Sequence, residues 1–395
     1  MKFFLNECGI VCALGDTHHA IKHRLQTDVR SGLALTDVWS AGRPLPLGRV
    51  VTHLPEIAGL PITMRSRNNQ LALAALAQIR PAVDEAIARF GAHRIGIVIG
   101  TSTSGIASTE SALRDYQHDA CLPDSFHYAQ QEMGSPALML AHVLGVTGPA
   151  YVHSSACSSS AKAMASAARL IKMGLCDAVL TGGVDSLCAF TVAGFSALES
   201  ISATQCNPLS ANRNGINIGE GAALFLMSQQ AASVALCGWG ESSDGHHMSA
   251  PDPAGGGAQI AINQALAKAG VEAHEIDYIN LHGTATVQND AMESRVISTL
   301  FGNEVAVSST KPFTGHSLGA AAAIEAALCW LSMQDDNVEG ILPPHLWDGI
   351  ADPALPVLNV ANTGTKLGRH LRWALSNSFA FGGSNASLLL GRCDD

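Results

Sequence analysis

The chain has 395 residues, 47% of them hydrophobic and only 14% charged, with a net charge of −10. It is long enough for a large core and two similar halves, and its charge argues against a general nucleic-acid binder. No apolar run reaches transmembrane length, and the ten cysteines form no CxxC pair, which fits reduced thiols in a cytoplasmic protein better than zinc ligands.

The N-terminus, Met1-Lys-Phe-Phe-Leu-Asn-Glu-Cys, carries a glutamate too early for a signal segment and reads as a first strand. Gln70 to Phe90 reads as a helix. Arg94-Ile-Gly-Ile-Val-Ile-Gly-Thr reads as a buried strand, and Ala178-Val-Leu-Thr-Gly-Gly as another. Helices are expected over Ala258 to Ala269 and Met292 to Phe301. This strand-then-helix order indicates a layered α/β fold. No linker-like or low-complexity tract divides it.

Two stretches look alike. Cys157 precedes Ser-Ser-Ser-Ala-Lys-Ala-Met-Ala-Ser-Ala-Ala, and His316 precedes Ser-Leu-Gly-Ala-Ala-Ala-Ala-Ile-Glu-Ala-Ala. Helices of small residues suit a place between sheets rather than a surface, and a two-fold repeat would bring both helix starts to one centre. A thiol at a helix N-terminus meets free amides and the positive end of the dipole, which lower its pKa. On its own stretch, Cys157 suits a nucleophile and a small buried hydrophobe equally well.

Sixteen histidines are present, so a lone histidine carries little information. His18, His19, His246 and His247 read as loop residues without a third metal ligand. His153 reads as a hydrogen-bonded core residue in a strand. His282 and His316 differ, because each stands where a strand or loop meets glycine and a helix start, the usual place for a site in α/β folds. A cysteine with two histidines fits acyl-thioester chemistry: the thiolate forms an acyl-enzyme, and two neutral imidazoles donate to an enolate oxygen. A hydrolase would want one histidine oriented by a carboxylate.

Four ordered motifs carry a resemblance. They are Ala156-Cys157-Ser-Ser-Ser; His282-Gly-Thr-Ala-Thr with Asp290 and Glu293; Lys311-Pro-Phe-Thr-Gly-His316-Ser-Leu-Gly with Glu325; and Phe379-Ala-Phe-Gly-Gly-Ser-Asn. Together they resemble the Cys–His–His elongating β-ketoacyl-[acyl-carrier-protein] synthases, essentially from end to end. The resemblance implies a thiolase-like α/β fold, two pseudo-duplicated halves (1–232 and 233–395) in five α-β-α-β-α layers, normally dimeric.

The resemblance also assigns roles. Cys157 would hold the acyl chain, and His282 and His316 would promote decarboxylation of malonyl-carrier protein. Lys311 and Glu325 would support the histidines. The amides of Cys157 and Phe381 would form the oxyanion hole, with Phe381 also a gate and Asp290 in support. Thr284 and Thr286 would contact pantetheine. No cofactor or metal is implied, because substrates ride on the phosphopantetheine arm of acyl carrier protein.

Ala285, Val287, Ala380 and Ser384 depart from the usual motif residues. The Cβ of Ala380 is expected to restrict φ and stiffen the Phe381 gate. Carrier proteins are acidic, so Arg65, Arg67 and Arg213 are candidate docking residues. No Lys or Arg occurs between Lys172 and Arg213, so docking would be shared with a partner subunit. Thiolases place a second cysteine where Phe381 stands, initiating synthases have Asn for one histidine, and chain-length factors lack the nucleophile. The stretches Gly183–Cys188 and Ser210–Glu220 resemble condensing subunits of specialised type II systems such as aryl-polyene pathways. The partner would then be a second copy or a cysteine-lacking paralogue, with primary fatty-acid elongation the alternative.

Overall fold

The computed structural model describes residues 2–393. Up to residue 228 it contains five long-range strands: β1 (Phe3–Val11), β2 (Ile95–Gly100), β3 (Ala150–His153), β4 (Ala178–Asp185) and β5 (Gly221–Ser228). The principal helices of this part are α1 (Arg67–Phe90), α2 (Ser135–Leu144) and α3 (Ser159–Lys172). From residue 234 onward come β6 (Val234–Ser243), β7 (Tyr278–Asn280), β8 (Ala306–Ser308), β9 (Trp373–Ala380) and β10 (Ser384–Arg392). Their helices are α4 (Gly256–Ala269), α5 (Val287–Phe301) and α6 (Ala321–Ser332).

The pairing repeats. In the first set β1 runs antiparallel to β5 and β5 to β4, while β4 is parallel to β2 and β2 to β3. In the second, β6 is antiparallel to β10 and β10 to β9, then β9 is parallel to β7 and β7 to β8. The two sets join where Phe3 and Phe4 pair with Leu236 and Ala235.

Strand alternation sorts side chains into three cores. Ile95, Ile97 and Ile99 face α1 and α2 in one outer core, whereas Val98 faces the centre. Likewise Leu375 and Leu389 join α4 and α5 in the other outer core, and Ala374, Leu388 and Leu390 face the centre. The central core is filled by α3 and α6, which touch each other and both sets of strands. Five layers result, with the two small-residue helices in the middle.

Glycine permits this closeness. A Cβ on Gly100 would fall 2.3 Å from the Ser160 amide nitrogen, and one on Gly183 would fall 2.6 Å from the Ser160 Cβ. Helix starts differ from the expected ones. α1 begins at Arg67 because Ser66 caps it, accepting from the Asn69 amide. α5 begins at Val287, so Asp290 and Glu293 lie inside a helix. His18 and His19 open a short helix, His18–Gln26, rather than lying in a loop. His153 is in β3 as expected, but its buried Nε2 has no hydrogen-bond partner among the described residues.

Candidate active site

Cys157 and His316 reach one point because α3 and α6 both start there. Cys157 stands two residues before α3, after a tight turn in which Ala156 adopts φ +49°. His316 follows the short helix Lys311–Thr314 and is tied to the first half by its amide, which donates to the Asn217 carbonyl at 2.6 Å. The result is a contact of 2.9 Å between Cys157 Sγ and His316 Nε2. The His282 ring stands edge-on to the His316 ring at 5.4 Å between centroids. All three residues are buried.

The amides of Phe381 and Cys157 both favour negative charge on the sulfur, as does Lys311. Burial outweighs them: the Cys157 thiol is pushed up to about 12. The expectation that the helix start lowers this pKa is therefore corrected, since desolvation of a fully enclosed sulfur exceeds the gain from two amides. Burial, then the Lys311 charge, holds His282 and His316 well below the usual histidine range, so both imidazoles are neutral. Lys311 itself is buried and ion-paired with Glu325. Sγ and the two imidazoles lie within 4.8 Å of one another, donors that would suit a soft divalent ion, although the Lys311 charge beside them opposes one.

The His282 loop is fixed from behind. Glu293 accepts from the amides of His282 and Gly283, both at 2.8 Å, and burial raises its pKa to about 7. Asp290 accepts from Leu209 and Ala285. Thr284 and Thr286 share a 2.9 Å hydroxyl contact and line the same cavity as Cys157, His282, His316 and Phe381, about 50 Å3 in volume.

The glycine turn behaves differently from the expectation. Ala380 has φ −93° and ψ 155°, ordinary extended backbone, so its Cβ is accommodated without strain. The positive φ values of this turn fall at Gly382 and Gly383, and of Ala285 and Ala380 it is Ala285 that is left-handed, at φ +62°. The ring of Phe381 packs on Phe195 at 5.4 Å.

Two of the three candidate docking arginines point inward. Arg67 donates to the fully buried Glu220, and Arg213, 6% exposed, is ion-paired with Asp352. Each guanidinium is thereby committed to a structural partner. Arg65 donates to the Leu60 carbonyl at 2.7 Å.

Sequence reasoning passed over Asp185, Phe195, Ser309 and His345. The Asp185 carboxylate accepts from Thr101, Ser102, Thr103 and the Gly319 amide, tying β4 to the turn after His316. A lone carboxylate ending the buried strand Ala178–Asp185 was the available signal, because it must find donors.

The chain belongs to the β-ketoacyl synthase family: residues 68–232 match its N-terminal domain and 234–346 its C-terminal domain. Nodulation protein E of Rhizobium meliloti is 34% identical over 309 residues, 75% of each chain. The 3-oxoacyl-[acyl-carrier-protein] synthase 2 of Rhizobium meliloti (strain 1021) is 34% identical over 320 residues, 75% of this chain and 74% of that one. Among solved structures, a chain of the ketosynthase (ApeO) complex with its chain length factor (ApeC) from Xenorhabdus doucetiae is 44% identical. It covers 99% of this chain and 98% of that one, with a TM-score of 0.92. The fold is the layered ketosynthase fold, and the chain is an acyltransferase of the 3-oxoacyl-[acyl-carrier-protein] synthase class.

Proposed function

We propose that Cys157 carries the acyl chain and that His282 and His316 drive decarboxylative condensation with a malonyl thioester. The observation that carries this is the 2.9 Å Cys157–His316 contact with a second neutral histidine beside it. The Cys157 sulfur attacks the acyl thioester on a carrier protein. The amides of Cys157 and Phe381 hold the tetrahedral oxyanion, and the carrier thiol leaves with the proton. A malonyl thioester then loses CO2, and the electron pair of the broken C–C bond moves toward the thioester oxygen as an enolate. His282 and His316, each neutral with Nε2–H, donate to that oxygen. The enolate carbon attacks the acyl carbon on Cys157. The C–S bond breaks with its electron pair leaving on the sulfur, which takes a proton from water to restore the thiol, and the product is longer by two carbons.

Burial, with the Lys311 charge beside it, keeps both histidines neutral, and Glu325 balances that charge. Thr284 and Thr286 would contact the pantetheine arm, and Phe381, braced by Phe195, would gate the malonyl side. The carrier-protein arm supplies the substrate, and we place the chain in a reduced cytoplasmic compartment. No helix among the described residues is long and apolar enough to cross a membrane.

A specialised polyketide or polyene pathway is favoured by the 44% identity to a chain of the ketosynthase and chain length factor complex, against 34% to the 3-oxoacyl synthase. A cysteine-lacking sister subunit would then complete the enzyme. Intact mass after incubation with acyl-carrier protein tests the nucleophile: Cys157→Ala should gain no acyl adduct while keeping its fold, and an unchanged adduct on the variant refutes the assignment. Co-expression with neighbouring genes tests the sister subunit, which should co-elute.

A further inference from the structure

The loop that carries His282 is closed into a ring of buried hydrogen bonds, and His345 is its far link. Ser309 Oγ donates to the Gly283 carbonyl at 2.7 Å. The Ser309 amide in turn donates to His345 Nδ1 at 3.0 Å, and His345 Nε2 donates to the Pro208 carbonyl at 2.9 Å. The next residue, Leu209, donates to Asp290 at 2.8 Å, and Asp290 accepts from Ala285 at 3.2 Å, two residues beyond Gly283. The ring therefore grips the loop at Gly283 and Ala285.

His345 is 5% exposed, and its own amide is fixed to the Ala361 carbonyl at 2.7 Å. Facing an N–H on one nitrogen and a carbonyl on the other, its imidazole must be neutral with the proton on Nε2. A cation would set Nδ1–H against the Ser309 amide. None of these contacts reaches Cys157, His316 or Phe381. Gly283 and Ser309 approach closely, since a Cβ added at Gly283 would meet the Ser309 Cβ at 2.5 Å.

We propose that His345 is a positioning residue for the decarboxylation half-reaction: through Ser309 it fixes the peptide that aims the His282 imidazole. The proposal rests on the assignment of His282 made above. Its signature is a split between the two half-reactions, with acylation of Cys157 spared and decarboxylation of the malonyl thioester impaired.

Two isosteric variants separate positioning from packing. The Asn oxygen of H345N can still accept from the Ser309 amide, whereas the amide of H345Q reaches toward Pro208 and gives up the Ser309 link. Each loses one hydrogen bond, so their thermal stabilities should be similar. The measurements are acyl transfer to Cys157 by intact mass and CO2 release from malonyl-carrier protein, on the full chain with any co-purifying subunit. H345Q is expected to lower CO2 release about 10- to 100-fold, the cost of a small misplacement of a reacting group. Acylation should stay within about twofold of wild type and H345N within about threefold of wild-type CO2 release.

Ser309→Ala, which leaves His345 intact but removes the bond to Gly283, should reproduce the H345Q split and covers the case of an unstable His345 variant. Equal losses in H345N and H345Q, or acylation falling in step with CO2 release, would overturn the proposal. His282→Ala is the control. If it keeps wild-type CO2 release, the failure lies in the role given to His282; if it loses that activity while H345Q and Ser309→Ala keep it, the failure lies with His345.

Discussion

At the residue scale, the proposed nucleophile Cys157 rests as a thiol. Two amides and a lysine favour the thiolate, yet enclosure of the sulfur opposes it more strongly, and the group ends at about 12. On the proposed role, negative charge would develop on the carbonyl oxygen of the substrate during attack, where the amides of Cys157 and Phe381 would take it up, instead of being stored on the sulfur beforehand. Alkylation of Cys157 by iodoacetamide should accordingly rise with pH up to about 10 without levelling; a plateau near neutrality would mean that the helix start wins after all. The Lys311–Glu325 pair sets a second test. Lys311→Ala leaves a buried carboxylate unpaired and should cost about 3–5 kcal/mol in urea unfolding, whereas Lys311→Met with Glu325→Gln should be clearly milder. Equal losses would show that packing, not charge, is what the pair supplies.

At the element scale, two alanines that replace glycines in loops around the site have opposite standing. Ala285 is held at φ +62°, where a Cβ costs about 1–2 kcal/mol. Ala380 lies at φ −93° and bears no such cost. Each Ala→Gly change removes one buried methyl and frees the unfolded chain to a similar extent. Ala285→Gly should therefore be less destabilising than Ala380→Gly by about 1–2 kcal/mol, measured as urea midpoints; the reverse order would contradict these backbone conformations.

The same loops show what the sequence can and cannot disclose. Cys157, His282, Lys311, His316 and Phe381 were readable because each sits in a local motif, and the two central helices because small residues on every face fit only a buried layer. The φ at 380 was misjudged and the left-handed φ at 285 was not foreseen, since a motif names the residue and not which turn position goes left-handed. His345 was invisible for a different reason. Its partners Ser309 and Pro208 lie 36 and 137 residues away in sequence, and nothing in the Leu342-Pro-Pro-His stretch foretells them. The ion pairs of Arg67 and Arg213 were hidden for the same cause, their counter-ions Glu220 and Asp352 being distant in the chain.

At the scale of the whole molecule, the site is as precise as the spacing of its middle layer. The Ala323 amide of α6 donates to Ser160 Oγ of α3 at 2.9 Å, and β4 presses through Gly183 against α3 and against Ala320, the residue that caps α6. A Cβ at 183 would meet the Ser160 Cβ at 2.6 Å and the Ala320 Cα at 3.1 Å. Cys157 lies three residues before Ser160 and His316 four before Ala320, so parting the helices must lengthen the sulfur–imidazole contact. Gly183→Ala should cost about 1–3 kcal/mol as overpacking does and slow acylation of Cys157 by about 10-fold or more. Gly59→Ala, where a Cβ meets nothing within 4 Å, is the control and should leave both quantities unchanged. If Gly183→Ala lost stability but acylated at the wild-type rate, the catalytic contact would have to be set locally by the two turns, and the central layer would be scaffolding alone.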